Sequence, residues 1–135
     1  DLPTERDIPL EEAYAVQAAA AGAINIHGLQ AGHAMRTFEV PGMGGLQLVD
    51  RADVAAFYVP DEEVLVFEDA DHLIELARRV VADPAWGARI REAGRRRSHA
   101  EHTFAHRAAM AQGWWAGQEN CNHLQISCIL YNVFT

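Results

Sequence analysis

Basic charge is scarce in this sequence, and it comes in one kind only. Lysine is absent; the eleven basic residues are all arginine, set against nineteen acidic ones, for a net charge of −8. A polyanion is thereby disfavoured as the main partner, because nucleic-acid binding needs a concentrated basic face to displace counterions. The one basic cluster, Arg95-Arg96-Arg97, falls near an expected helix C-terminus, where cations complement the dipole. Long apolar runs are missing as well. No stretch reaches the roughly 18 apolar residues of a membrane span, and no charged-then-apolar segment opens the chain, so a soluble, cytoplasmic protein is the expectation. Cysteine is confined to Cys121 and Cys128. With His123 they would make an incomplete ligand set at a spacing that fits no established zinc pattern. They read as ordinary thiols, and neither a disulfide framework nor a metal site is expected.

A chain of 135 residues is long enough for one domain with a core and short for a two-domain enzyme. It begins at Asp1 rather than at a methionine, which fits a fragment. Its bias toward arginine and alanine holds from Arg6 to Trp115 and then stops. Residues 117–135, GQENCNHLQISCILYNVFT, contain no arginine and hold both cysteines. That break suggests a different origin for the tail, which stays outside the functional reading. Residues 1–9 are polar, include Pro3 and Pro9, and read as an extended lead-in. The domain is expected over residues 10–116.

What is present there is an alternation of helix and strand signals. LEEAYAVQAAAAG, ending at Gly22, is rich in helix formers, with Glu11 and Glu12 in its first turn and Gly22 as a C-cap; it predicts a helix packed through its alanines. Ala23 to His27 reads as a short buried strand and Gly28 to Gly32 as a loop. A brief helix runs from about Ala34 to Val40, ended by Pro41 and Gly42, and Leu46 to Val49 forms the next strand. A helical turn between Asp53 and Tyr58, an apolar strand from Val64 to Phe67 and a helix capped by Asp69 or Asp71 come next. In that helix Leu73, Leu76, Ala77, Val80 and Val81 fall at i, i+3, i+4, i+7 and i+8, and Glu75 can pair with Arg79 on the wet face. Asp83 as N-cap and Pro84 at N1 start another helix, with Trp86, Ile90 and Ala93 inward, running to about Arg97. Thr103 caps a last helix, with Phe104, Ala108 and Ala111 inward and Trp114 and Trp115 at its end. The fold class predicted is α/β: a partial Rossmann-like domain, a short parallel sheet with flanking helices and a C-terminal helical run, whose other half would precede Asp1.

Candidate chemistry concentrates between Ala23 and Asp50. A strand that empties through a glycine loop into a helix N-terminus aims backbone N–H groups at one spot, which suits a phosphate. Arg36 can pair with a diphosphate, and Glu39, one turn further, can accept hydrogen bonds from ribose hydroxyls. His33 sits in the loop, although a lone loop histidine is ordinarily exposed. His27, at a strand end, reads as a hydrogen-bonded structural residue, and Asn25 in an apolar strand needs partners that tie the loop together. Glu62 and Glu63 open a strand; Glu63 can orient the nearby loop, with a solvated pair as the plainer reading. His99, His102 and His106 invite a metal reading, but Thr103 as a cap breaks the helix between them, and a wet face is expected.

The ordered series INIH, a loop with glycine, MRTFEVPGMGGLQLVD, PDEEVLVFED, EAGRRR and EHTFAHR, spread over residues 10 to 112, closely resembles the C-terminal region of the spore-maturation CgeB-like glycosyltransferases, a branch of the group 1 glycosyltransferases with the GT-B fold. The resemblance implies the C-terminal half of a nucleotide-sugar-binding domain, a nucleotide-sugar donor as substrate, no dissociable metal or other cofactor, and an N-terminal GT-B domain as the missing partner. It places Glu39 at the ribose carboxylate and the amides around Ala34, Met35 and Arg36 at the turn facing the diphosphate. With Gly32 and His33 these form the expected donor site, supported by Asn25, His27 and Glu63. Many group 1 relatives carry a second glutamate eight residues before the ribose one, where this chain has Ala31; His33 or His27 can serve there instead. The expected function is donor binding for glycosyl transfer, with this chain inactive alone. The alternative is a non-catalytic binding or interaction module of the same fold. A receiver-like domain is disfavoured because no acidic cluster follows a first strand.

Overall fold

The computed structural model of the chain describes residues 8–29 and 31–116. The expectations for the lead-in up to Asp7, for the tail from Gly117 and for the side chains of Trp114 and Trp115 lie outside the described residues. The elements run α1 (Leu10–Ala19), β1 (Ala23–Asn25), α2 (Arg36–Gly42), β2 (Gln47–Val49), a 3-10 turn (Ala52–Ala56), β3 (Leu65–Val66), α3 (Ala70–Ala82), α4 (Pro84–Glu101) and α5 (Phe104–Ala116). The strands form one parallel sheet in the order β1-β2-β3. Ala23, Ile24 and Asn25 stand opposite Gln47, Leu48 and Val49, while Leu48 and Val49 stand opposite Leu65 and Val66. The fold is thus mixed α/β, a short three-stranded parallel sheet with flanking helices and a C-terminal helical run.

Alternation along the strands sends neighbouring side chains to opposite faces. Leu46, Leu48, Leu65 and Phe67 meet Leu76 and Val80 of α3 and Ile90 of α4, with Leu73 and Trp86 closing the edge. On the other face Val49, Val54, Tyr58 and Val64 cluster with Phe38, Phe57 and Val66. Each fully buried aliphatic side chain among these contributes roughly 1.5–3 kcal/mol. Two caps act as the sequence predicts: Asp69 accepts from the His72 N–H at 2.8 Å and Asp83 from the Trp86 N–H at 2.9 Å, with Pro84 opening α4. Arg79 stacks over the Trp86 ring, 3.9 Å from its centroid, rather than pairing with Glu75.

Several elements differ from expectation, each for a physical reason. β1 is an edge strand with one bare face: Ile24 is 51% and Ile26 66% exposed. α1 has no buried residue and ends at Ala19, with Ala20 rather than Gly22 at its C-cap. A cation rather than a glycine turn holds the exit of the helix: the Arg91 guanidinium donates to the C-cap Ala20 O at 2.7 Å and, more weakly, to Ala18 O and Ala21 O at 3.4 Å. Pro41 lies inside α2 instead of ending it, because a buried side chain replaces its missing N–H. α4 continues past Arg97 to Glu101 and packs through Gly87, Ile90, Gly94 and Ser98 rather than Ala93. At Gly94 α4 lies so close to the segment before β3 that a β-carbon would sit 2.3 Å from the Glu63 carbonyl oxygen. In α5, Phe104 is 66% exposed and Ala108 and Ala111 are exposed too, so the expected inward face is not covered. Among the described residues no helix is long and apolar enough to cross a membrane.

Candidate functional site

The loop between β1 and α2 is anchored from beneath by a directed chain of polar groups. Asn25 Nδ2 donates to Thr37 Oγ1 at 3.3 Å, and the Thr37 hydroxyl meets His27 Nε2 at 3.3 Å. His27 Nδ1 meets Asp50 Oδ1 at 2.9 Å, while Asp50 Oδ2 also accepts the N–H groups of His27 and Gly28. A single tautomer, with the proton on Nδ1, satisfies every link. Asn25, His27 and Thr37 are buried, so this network joins the end of β1, the start of α2 and the end of β2 from within the fold. Burial works to raise the Asp50 pKa, but the bonds from the His27 ring and the two backbone N–H groups outweigh it and hold the carboxyl below its usual range. Gly28 and Gly32 take positive φ, 56° and 79°, the left-handed turns that let the loop double back.

The outer side of the loop is held by a second set of contacts. Arg51 reaches both the Gly32 carbonyl and the Asp53 carboxylate, and His33 Nε2 lies 3.4 Å from Asp53 Oδ1. The His33 ring packs edge-on against His27 and Phe57, with centroids 5.5 and 5.1 Å away. Its side chain is only 11% exposed, contrary to the expectation of an exposed loop histidine. Desolvation lowers its pKa, opposed by Asp53 and reinforced by Arg51 and His27.

Above α2 opens a cavity of about 450 Å³. Its floor is the face of α2 that carries Met35, Phe38, Glu39, Gly42 and Met43; Tyr14 of α1, Phe57, the end of α4 and the start of α5 form the walls. Most of this lining is apolar. The Arg107 guanidinium lies over the Phe38 ring, 4.8 Å from its centroid, and His102 donates from Nε2 to the Phe57 carbonyl at 3.0 Å. Glu39 is the carboxylate in the lining, and Tyr14 donates its hydroxyl to Glu39 Oε1 at 2.8 Å. That hydrogen bond is the largest of the causes raising the Tyr14 pKa, followed by desolvation and the Glu39 charge.

The residues expected at the site divide cleanly. Gly32, His33, Met35 and Glu39 line the cavity; Ala34 and Arg36 do not, and the Arg36 side chain is exposed. The N–H groups of Ala34, Met35 and Arg36 donate to no carbonyl among the described residues, whereas those of Thr37, Phe38 and Glu39 turn back on Ala34 and Met35. Asn25 and His27 belong to the buried network. Glu63 is tied elsewhere, accepting from the Val59 N–H at 2.8 Å and from Arg97 Nε at 3.1 Å. The three C-terminal histidines take separate partners: His99 the Gly42 carbonyl, His102 the Phe57 carbonyl and His106 the Thr103 hydroxyl. Tyr14, Phe57, His102 and Arg107 were not foreseen as lining residues. Their separation along the chain leaves no local pattern, although Arg107 and His102 both fall within the EHTFAHR motif.

Residues 3–112 match the model of a family described as glycosyl transferase-like. No curated protein and no solved structure gives a match.

Proposed function

We propose, from the premise that this chain belongs to the glycosyl transferase-like family, that the cavity over α2 is the donor site for a nucleotide-activated sugar. The observation that carries this reading is Glu39, a carboxylate fixed in the lining of a largely apolar cavity, within the motif where the CgeB-like resemblance expects the ribose carboxylate. A carboxylate in such surroundings gains strongly from a donated hydroxyl proton, because neighbouring water competes poorly. The apolar walls suit the flat face of a nucleobase or the ring of a sugar. The uncommitted N–H groups of Ala34, Met35 and Arg36 offer donors to a diphosphate, with the exposed Arg36 side chain free to close over it. α2 is only seven residues long, so its dipole contributes little and the individual donors carry this part.

In glycosyl transfer the anomeric carbon loses a nucleoside diphosphate, and donors around the departing phosphate stabilise the charge that develops there. The parts of that reaction assigned to this chain are donor binding and leaving-group stabilisation. A GT-B partner domain would supply the acceptor site. A second reading, a non-catalytic binding module, is favoured by Ala31, which stands where many group 1 relatives place a carboxylate beside the donor sugar.

Calorimetric titration of the chain with UDP, GDP and their sugars tests the donor-site reading, with Glu39→Ala as control. Saturable binding is expected, weakened about 10- to 100-fold by the substitution. Absence of saturable binding to every nucleotide, or binding indifferent to Glu39, would sink it.

A further inference from the structure

We infer that Tyr14 of α1 is a positioning residue for the Glu39 carboxylate and, through it, sets the preference of the cavity for a ligand bearing a vicinal diol. The inference rests on the donor-site reading and extends it to a residue twenty-five positions away in sequence.

The geometry gives each oxygen of Glu39 a different status. Oε1 accepts the Tyr14 hydroxyl at 2.8 Å, whereas Oε2 has no hydrogen-bond partner among the described residues although Glu39 is half-buried. A glutamate on a short helix has several side-chain rotamers open to it, and an exposed one samples them freely. The Tyr14 bond selects one, with Oε2 left as the acceptor. Tyr14 itself is half-buried on a helix that has no buried residue, so its hydroxyl is not needed to complete a core. Its ring lines the same cavity as Glu39.

The consequence concerns selectivity. With one carboxylate oxygen already engaged, a diol meets two different acceptors: Oε2 of Glu39, and the lone pairs that the Tyr14 oxygen retains after donating its proton. Each hydroxyl of the diol then finds its own acceptor, and a ligand without those hydroxyls leaves both short of a partner. A site built to hydrogen-bond a substrate hydroxyl rejects the analogue that lacks it more strongly than an apolar pocket can.

Tyr14→Phe keeps the ring and removes only the hydroxyl. Binding of UDP and GDP, and of their 2′,3′-dideoxy forms, is measured by calorimetry for the unsubstituted chain, Tyr14→Phe and Glu39→Gln. The unsubstituted chain should prefer the ribonucleotides by about 10-fold or more, and Tyr14→Phe should reduce that preference by roughly 5- to 10-fold. Affinity for the dideoxy forms and the urea midpoint should stay nearly unchanged. A Tyr14→Phe chain that loses affinity for both forms equally, or for neither, overturns the inference while leaving the donor-site reading in place if Glu39→Gln still abolishes the preference. Failure of the unsubstituted chain to bind any of these nucleotides removes both together.

Discussion

The side-chain amide of Gln47 on β2 stands in for the N–H that Pro41 lacks in α2. With its nitrogen turned toward the helix, the amide lies 3.1 Å from the Thr37 carbonyl and 3.2 Å from that of Arg36; in the opposite orientation its oxygen would meet only other acceptors. Thr37 is the residue four before Pro41, so its carbonyl is the one that proline leaves without a helical donor. Gln47 is 1% exposed, so no water is at hand to replace it.

Gln47→Leu is therefore expected to destabilise the chain by about 1–3 kcal/mol, the cost of a buried acceptor left unpaired. Pro41→Ala restores a backbone N–H at the same point, so the cost of Gln47→Leu should be clearly smaller in that background. Urea unfolding of the two single variants and the double variant measures this coupling. Additive effects would mean that the amide is not replacing the proline's missing donor.

The close approach at Gly94 carries a second expectation. A β-carbon there meets backbone, not the end of a flexible side chain, at 2.3 Å. Gly94→Ala must push α4 away from the segment before β3, at a cost of about 1–3 kcal/mol or more. Gly113, within α5, has open space around the same position. Gly113→Ala should instead leave stability unchanged or raise it by up to about 1 kcal/mol through helix propensity. Opposite signs in the two urea midpoints would separate packing from propensity.

The legible parts of this fold are those whose cause is local. Asp83-Pro84 specifies a helix start by its own chemistry, and spacing marks Leu73, Leu76 and Val80 as one stripe, although the same spacing also draws in Ala77 and Val81, which are exposed. Val64 to Phe67 reads as a strand from its own apolar run, and Leu65–Val66 within it forms β3. Elements settled by distant residues depart from what their own sequence predicts. Pro41 predicts a helix end unless Gln47 is known to reach it. Gly22 predicts a cap unless Arg91, some seventy residues on, is known to hold the Ala20 carbonyl at the C-cap. Ala93 looks inward until Gly94 is seen to be the only residue small enough to pass Glu63. The same division governs the site. Glu39 stood out because its neighbours in sequence form a motif, whereas Tyr14 and Phe57 reach the cavity only through the packing of α1 and of the 3-10 turn.

The link between His27 and Asp50 predicts how stability responds to acid. The Asp50 carboxyl is held below its usual range in the folded chain, since the His27 ring and the N–H groups of His27 and Gly28 together outweigh the opposing effect of burial. A carboxyl with a depressed folded pKa contributes stability that is fully present above its unfolded value, about 3.9. That contribution is lost as the pH falls below this value and through the lower folded one. His33 adds a loss of the same sign at higher pH. Its folded pKa is lowered chiefly by desolvation, so its share of stability begins to fall as the pH drops below about 6.5, its unfolded value. Urea midpoints followed from pH 8 to pH 2.5 should accordingly decline in two stages. Asp50→Asn should lower the plateau near neutrality and flatten the stage below about pH 4, and His33→Phe should remove the stage near pH 6 while sparing the lower one. An acid limb unaltered by Asp50→Asn would show that the loop anchor is not held by the charged carboxylate.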